Sequence, residues 1–216
     1  MRAQSVRRIR LLIVALVAAA ATAFMMIPPA PSVLVVDMDM PYDEVVKRSS
    51  YPARANGLSP TADTGFATID VSEPAVIIKF IDPKHGFELP PTTFAAITFG
   101  DAVVGTISTS PMLKPQRFSQ AVDVLEQVQT LFKKGGWVPW VGNQNGWYDL
   151  SPKGRKTLHA ELMRYSQSDQ FLDVPKRNLR SLLRIKCVEN CDDPDDALFL
   201  VDVGIGKKSW YAWDGE

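Results

Sequence analysis

Apolar and polar residues alternate over several short stretches of the chain, as in strands that bury one face of a sheet. Four such stretches follow one another: Phe66–Val71, Ala75–Ile81, Thr93–Phe99 and Ala102–Ser108. A shorter apolar run, Val33–Val36, precedes them and predicts a further strand. Because no helix-sized segment separates the four stretches, we expect antiparallel pairing among them.

Other segments repeat apolar residues with the spacing of a helix. From Ser119 to Lys134 they recur every three or four positions, and two glycines follow the last lysine. A second helix is predicted over 152–165, because Ser151 suits an N-cap and the next residue is proline. A short helix is also expected over Tyr42–Ser49.

Two hairpins complete the predicted elements. One joins Trp137–Val141 to Trp147–Leu150 through a loop that contains Asn-Gly, and the other joins Leu182–Val188 to Ala197–Gly204. The polar segment 166–181 is predicted to be a loop. Together the elements predict an α+β domain, with a mainly antiparallel sheet packed by one or two helices.

Residues 1–27 have the pattern of an export segment. Four arginines precede the apolar run Leu11–Ile27, which as a helix would reach about 26 Å, just short of the roughly 30 Å hydrocarbon core. Arginines on one side only keep that end in the cytoplasm. We therefore expect residues 1–27 to be an N-terminal transmembrane signal anchor, which enters a bacterial inner membrane through residues 9–27 and precedes a periplasmic domain.

The alternative is a signal peptide that is cleaved between Ala23 and Phe24, which would leave a soluble periplasmic protein. In either case the rest of the chain divides into a proline-rich spacer, 28–32, and a single extracytoplasmic domain, 33–216. Four of the 24 basic residues lie in the export segment, which leaves 20 basic against 24 acidic residues beyond it. This acidic excess disfavours nucleic acid as a partner.

Cys187 and Cys191 are the two cysteines of the chain. In an oxidising compartment a disulfide between them is expected. Redox-active pairs favour two intervening residues, and this pair has three. No histidine lies nearby to complete a metal site. We therefore predict a structural disulfide that shapes a turn.

A short apolar strand followed by Asp37-Met38-Asp39 resembles the start of haloacid-dehalogenase-type phosphatases. In that family the first carboxylate attacks phosphorus and the second protonates the leaving group, with magnesium between them. Here Met40 and Pro41 replace the small and hydroxylated residues of that loop. Two exposed acidic residues are the preferred interpretation.

The remaining candidates for chemistry are sparse. Asp192–Asp196 carries four carboxylates suited to calcium, but it lacks the glycine and spaced glutamate of an EF-hand loop, so a solvated acidic turn is preferred. His85 is expected in an exposed hairpin loop and His159 within a helix, without metal-ligand spacing. No catalytic residue, cofactor or metal site is assigned.

The tryptophans are the feature of this sequence that points most directly to a binding surface. Trp137, Trp140 and Trp147 cluster around one predicted hairpin, and Trp210 and Trp213 lie near the end of the chain, where they fit a short final strand. Those that are not buried would form an aromatic patch of the kind found at protein interfaces and sugar-binding surfaces. The candidate partner-binding residues are Trp140, Trp147, Trp210 and Trp213.

Three segments carry a resemblance to a known group of proteins: Met40–Val46, Ala75–Pro83 and the helix from Ser119 that ends in Lys-Lys-Gly-Gly-Trp137. With the export segment, they resemble small exported proteobacterial proteins, some of which are similar to immunity proteins that guard the periplasm against type VI secretion effectors. The resemblance covers most of 33–205. It implies a binder that occludes a toxin and carries no catalytic residues.

The expected function is therefore non-enzymatic binding of a protein partner in the periplasm, most concretely neutralisation of a secreted effector. One alternative is a structural subunit of an envelope or secretion assembly. Another is an envelope hydrolase, for which Asp37, Asp39 or His85 would be essential.

Overall fold

Two β-sheets and three α-helices make up the part of the chain that the structure describes. The structure is a computed structural model, and it describes residues 31–142 and 146–210. The predicted export segment, most of the proline-rich spacer and Trp213 lie outside these residues. From Pro31 onward the described residues belong to one compact unit.

The elements are numbered here in chain order. The strands are β1 (Ser32–Val36), β2 (Gly57–Leu58), β3 (Ala67–Val71), β4 (Val76–Phe80), β5 (Phe87–Glu88), β6 (Ala95–Gly100), β7 (Val103–Thr109), β8 (Gln116–Arg117), β9 (Val138–Pro139), β10 (Gln167–Asp173), β11 (Leu179–Glu189) and β12 (Leu198–Lys207). The α-helices are α1 (Tyr42–Arg48), α2 (Phe118–Lys134) and α3 (Pro152–Tyr165). Short 3-10 turns lie at Ala53–Ala55 and Lys208–Trp210.

The larger sheet has nine strands, in the order β2-β3-β6-β7-β12-β11-β10-β9, with β8 paired to β12. Every pairing in it is antiparallel. Most buried residues alternate along these strands, so one face of the sheet lies against the core. The prediction of an α+β fold with a mainly antiparallel sheet is confirmed.

The smaller sheet has the order β1-β4-β5 and corrects one expectation. The stretches predicted at Phe66–Val71 and Ala75–Ile81 do not pair, because β3 pairs with β6 and β4 runs parallel to β1. A parallel partner for β4 comes from before α1, and a long-range pairing of this kind leaves no turn signal in the sequence.

The two long helices begin close to their predicted positions, but only one of them has a side-chain N-cap hydrogen bond. Helix α2 begins at Phe118, one residue before the predicted start at Ser119, and its N-cap residue Arg117 makes no side-chain cap hydrogen bond. Helix α3 begins as predicted, since the Ser151 hydroxyl accepts a hydrogen bond from the Gly154 N–H at 3.1 Å. An N-cap bond satisfies a backbone donor that the first helical turn leaves unpaired.

One hydrophobic cluster in the described residues draws on both sheets and on each of the three helices. Leu34 represents the smaller sheet and Phe99 the larger one, while Val45, Leu125 and Leu162 represent α1, α2 and α3. Burial of large apolar side chains such as these supplies the main favourable term in folding. Helices α2 and α3 thereby cover one face of the larger sheet near β10, β11 and β12, whereas α1 lies against β1 of the smaller sheet.

The predicted disulfide is present between Cys187 and Cys191, whose Cα atoms lie 5.8 Å apart. Cys187 belongs to the end of β11, where the pairing with β12 shifts register between Cys187 and Glu189. The bridge therefore lies at the start of the turn that connects β11 to β12. Within residues 31–142 and 146–210, no helix is long and apolar enough to cross a membrane.

A buried carboxylate ties the smaller sheet to the larger one. Asp82 follows β4, and its Oδ1 atom accepts hydrogen bonds from the backbone N–H groups of Lys84 at 2.9 Å and His85 at 2.8 Å. Its Oδ2 atom pairs with Arg177, which lies in the turn between β10 and β11. These partners compensate the cost of burying the charged carboxylate.

We expect Asp82→Ala to lower the free energy of unfolding by about 1–3 kcal/mol, because it leaves the Lys84 and His85 N–H groups without their acceptor and removes the partner of Arg177, whose side chain is 40% exposed. Urea unfolding followed by circular dichroism measures this. The matched control is Asp43→Ala, whose side chain is 83% exposed and pairs with Arg54 on the surface. That variant should unfold at nearly the wild-type urea concentration. Equal effects of the two substitutions would contradict the structural role of Asp82.

Candidate functional site

The candidate site lies at the end of the larger sheet, where β9 is the edge strand. Val138 pairs with Asp173 and Pro139 with Leu172, and the Trp140 N–H donates to the Phe171 carbonyl at 2.9 Å. The predicted hairpin between Trp137–Val141 and Trp147–Leu150 is therefore wrong. Strand β10, which is the partner of β9, lies within the segment 166–181 that was predicted to be a loop.

A buried glutamine explains why 147–150 is not a strand. Gln129 lies on the core face of α2, and its Oε1 atom accepts a hydrogen bond from the Tyr148 N–H at 2.9 Å. Its Nε2 atom donates to the Tyr148 carbonyl at 3.3 Å. The side-chain amide thus satisfies the same two backbone groups that a neighbouring strand would satisfy.

The Tyr148 side chain adds a second attachment for this segment. Its hydroxyl donates to the Ser168 carbonyl at 2.6 Å and approaches the Leu183 carbonyl at 3.2 Å. Burial raises the pKa of Tyr148 far above its ordinary value, so the hydroxyl stays protonated as a donor. Asp149 then meets Gly154 so closely that a Cβ atom there would lie 2.1 Å from the Asp149 carbonyl oxygen. Only glycine fits this contact.

Trp140 packs on the opposite side of β10 from this segment. Its ring lies 4.5 Å from the guanidinium carbon of Arg180 and meets Phe171 edge-on at 6.1 Å. Arg180 is only 6% exposed and forms hydrogen bonds of 2.8 and 3.3 Å to the two oxygens of Asp173. A paired guanidinium under an aromatic ring is a stabilising cation–π arrangement.

Two valines beside Trp140 are open to solvent, and one of them is almost fully exposed. Val141 is 96% exposed and Val138 is 42% exposed. Exposed apolar side chains next to an aromatic ring are typical of surfaces that bind other proteins. The edge formed by Val138, Trp140 and Val141 is called the β9 edge below.

The predicted tryptophan set does not form one surface. Trp147 is partly buried and has the Lys133 Nζ atom 5.0 Å from its ring, on the helix side of β10, whereas Trp140 lies on the other side. Trp137 belongs to the core, where it packs against Phe132. Trp210 ends a 3-10 turn, and the rest of the short final strand predicted over 210–213 lies outside the described residues. The Trp210 side chain and Trp213 lie outside the described residues.

The three residues considered for a hydrolase each make a hydrogen bond or an ion pair within the fold. Asp37 accepts a hydrogen bond from the Met38 N–H at 2.8 Å, and Asp39 pairs with Lys207 at 2.8 Å. The His85 Nδ1 atom contacts the Gly135 carbonyl at 2.7 Å, so that nitrogen carries the proton, as donation to a carbonyl requires. His85 thereby holds the turn that follows α2.

Acidic residues of the turn at Asp192–Asp196 also make hydrogen bonds and an ion pair within the fold. Asp196 pairs with Arg117 and accepts a hydrogen bond from Asn190 at 2.9 Å, and Asp193 accepts one from the Asp195 N–H at 3.0 Å. In the described part of the chain, no three histidine, cysteine or acidic residues form a group that could hold a metal ion.

Sequence reasoning missed the residues that build this site, namely Gln129, Arg180 and Val141. Gln129 interrupts the apolar stripe of α2, and a polar residue at a core position is a signal that it satisfies buried groups. The sequence carries no comparable signal for Arg180, because its role depends on a ring that lies forty positions away.

Comparison with protein-family models, curated proteins and solved structures finds no match for this chain.

We expect Gln129→Leu to lower the free energy of unfolding by about 1–3 kcal/mol, since it leaves the buried Tyr148 N–H without an acceptor. It should also speed amide hydrogen exchange at Tyr148. The control is Gln127→Leu, the same substitution on the exposed face of α2. Unfolding titrations and exchange measured by mass spectrometry test both variants. Unchanged exchange in Gln129→Leu would contradict the proposed role of this amide.

A second prediction concerns Asp37. Burial raises the pKa of this carboxyl above 3.8, opposed by the Met38 N–H and by the positive charge of Arg177. The native state therefore binds this proton more tightly than the unfolded state does, and the ionised carboxylate lowers stability at neutral pH. Asp37→Asn keeps a hydrogen-bond acceptor without the charge.

We expect the free energy of unfolding of Asp37→Asn to exceed that of the wild type at neutral pH. The difference should shrink as the pH falls through the raised native pKa towards 3.8, because the wild-type carboxyl is then protonated as well. Unfolding titrations over a pH series measure the difference. A difference that grows in acid would contradict burial as the cause.

Proposed function

We propose that this chain is a non-enzymatic protein-binding domain that captures its partner at the β9 edge. The observation that carries the proposal is the nearly complete exposure of Val141 beside a tryptophan ring that is fixed in place. The export pattern of residues 1–27 supports a periplasmic site of action. The most concrete role is that of an inner-membrane-anchored immunity protein that neutralises a secreted effector.

Trp140 suits the role of an anchor because it is held before a partner arrives. Arg180 lies against its ring, and Arg180 in turn is fixed by both oxygens of Asp173. A side chain that is already ordered loses little conformational entropy on binding, and tryptophan is enriched among the residues that dominate binding energy. Lys208 also reaches Asp173, at 3.1 Å, and adds a second cation to the same carboxylate.

The β9 edge favours contact through side chains over addition of a further strand. Strand β9 is only two residues long, and one of them is Pro139, which has no N–H group to donate. A partner would therefore seat apolar groups against Val138, Trp140 and Val141. Tight occlusion of an effector would need an interface of standard size around these anchors.

We expect Val141→Asp combined with Trp140→Ala to abolish capture of the partner from membranes, because the pair removes the exposed apolar anchor and places a charge at the contact. Capture by the affinity-tagged full-length chain, followed by mass spectrometry, measures this. Val141→Asp alone should unfold close to the wild-type midpoint, since Val141 is exposed, whereas the double variant also loses the contacts of the Trp140 ring with Arg180 and Phe171.

The matched control is Leu58→Asp, which places the same charge on an apolar residue that is 61% exposed in β2, at the opposite edge of the same sheet. This control should capture the partner as the wild type does. Capture that survives the double variant, or that is lost equally in Leu58→Asp, would contradict the β9 edge as the binding surface. A single captured toxin supports an immunity role, whereas several envelope components would indicate a structural subunit.

A further inference from the structure

A cleft of about 360 Å³ lies on the helix side of β10, next to the β9 edge but on the other face of the sheet. Its walls come from three elements. The segment 147–149 forms one wall, the first turns of α3 form the second, and β10 contributes Ser168 and Gln170 as the floor. Its volume falls in the lower part of the range typical of small-molecule sites.

Gln170 is the feature that points to a ligand. The residue is only 7% exposed and lines the cleft, yet its Oε1 atom is buried without a hydrogen-bond partner among the described residues. Buried amide oxygens in folded proteins are almost always paired, because an unpaired one has lost its hydration without compensation. Because the Gln170 side chain lines the cleft, a small rotation of its amide would bring this oxygen to a donor held in the cleft.

The other side chains of the cleft define what kind of donor fits. The cleft is lined by the Trp147 ring, by the carboxylates of Asp149 and Glu161 and by Lys153, and the Lys133 Nζ atom lies 5.0 Å from the Trp147 ring. Hydrogen bonds from Ser151 lower the pKa of Asp149, which keeps that carboxylate ionised as an acceptor. Two acidic groups and one basic group line the cleft, and Lys133 beside Trp147 supplies a second cation, so the charges near the cleft balance and favour a ligand without net charge.

We propose that this cleft binds a neutral saccharide, one or two rings in size. A sugar ring presents apolar C–H groups to an aromatic surface and hydroxyl donors to amide and carboxylate oxygens, which are the groups present here. A hydroxyl of the ring would donate to Gln170. This binding is independent of partner capture at the β9 edge, because the two surfaces lie on opposite faces of β10.

The cleft is also held in shape before any ligand enters. Gln129 and the Tyr148 hydroxyl fix the segment 147–149, and the close contact between Asp149 and Gly154 fixes α3 against it. Because the walls are already ordered, a ligand that binds here loses less of its binding free energy to ordering them.

Saturation-transfer NMR on the full-length chain in a sugar-free detergent tests this inference. The probes are glucose, galactose, mannose and N-acetylglucosamine, with arginine amide as a cationic comparison. We expect at least one sugar to bind in the millimolar range and arginine amide to give no signal. Gln170→Met should weaken sugar binding about tenfold or more, because it removes the acceptor while keeping the side-chain length.

The matched control is Gln167→Met, the same substitution at an exposed position of β10. It should bind the sugar as the wild type does. Gln170→Met should also unfold at the wild-type temperature or above it, since an unpaired acceptor is lost. The inference is overturned by any of three results: no sugar binds, binding survives both Gln170→Met and Trp147→Leu, or arginine amide binds in place of the sugars.

Discussion

A single side-chain amide organises the end of the molecule where binding is proposed. Gln129 projects from the core face of α2 and pairs with both backbone groups of Tyr148, so an irregular segment has these groups satisfied as a neighbouring strand would satisfy them. Because Tyr148 is fixed, its hydroxyl reaches across to the Ser168 carbonyl on β10. The helix, the segment and the edge of the larger sheet thereby form one connected unit.

This unit gives the edge of the sheet two different faces. Strand β10 presents Phe171 and Asp173 on the side of Trp140, and Ser168 and Gln170 on the side of α3, because neighbouring residues of a strand point in opposite directions. The first side combines a fixed tryptophan with exposed valines, and the second encloses a cleft. The two proposed binding surfaces, one for a protein and one for a small polar ligand, are therefore separate.

The sequence predicted much of the fold because local signals were consistent there. The Ser151 cap, the stripe of α2 and the alternation in β6, β7 and β12 all agree with the structure. The failures arose where contacts are distant in sequence. Strand β4 pairs with β1, which precedes α1 in the chain. The sequence of β10 has a polar pattern because Gln167, Asp169 and Asp173 occupy its outward positions.

The candidate site was predicted only in part, for a related reason. Composition identified the tryptophans, but their positions depend on which strand each one joins, and β9 joins β10 instead of 147–150. The hairpin prediction would have placed Trp140 and Trp147 on one ribbon, whereas the structure places them on opposite sides of β10. A glutamine within an apolar stripe was the one sequence signal that could have indicated this arrangement.

Amide hydrogen exchange of the full-length chain, with and without its captured partner, tests the central claim most directly. The account predicts that the partner slows exchange in 138–142, around Val141, more than elsewhere. Slowed exchange confined to the opposite edge of the sheet, around Leu58 and Phe66, would contradict it.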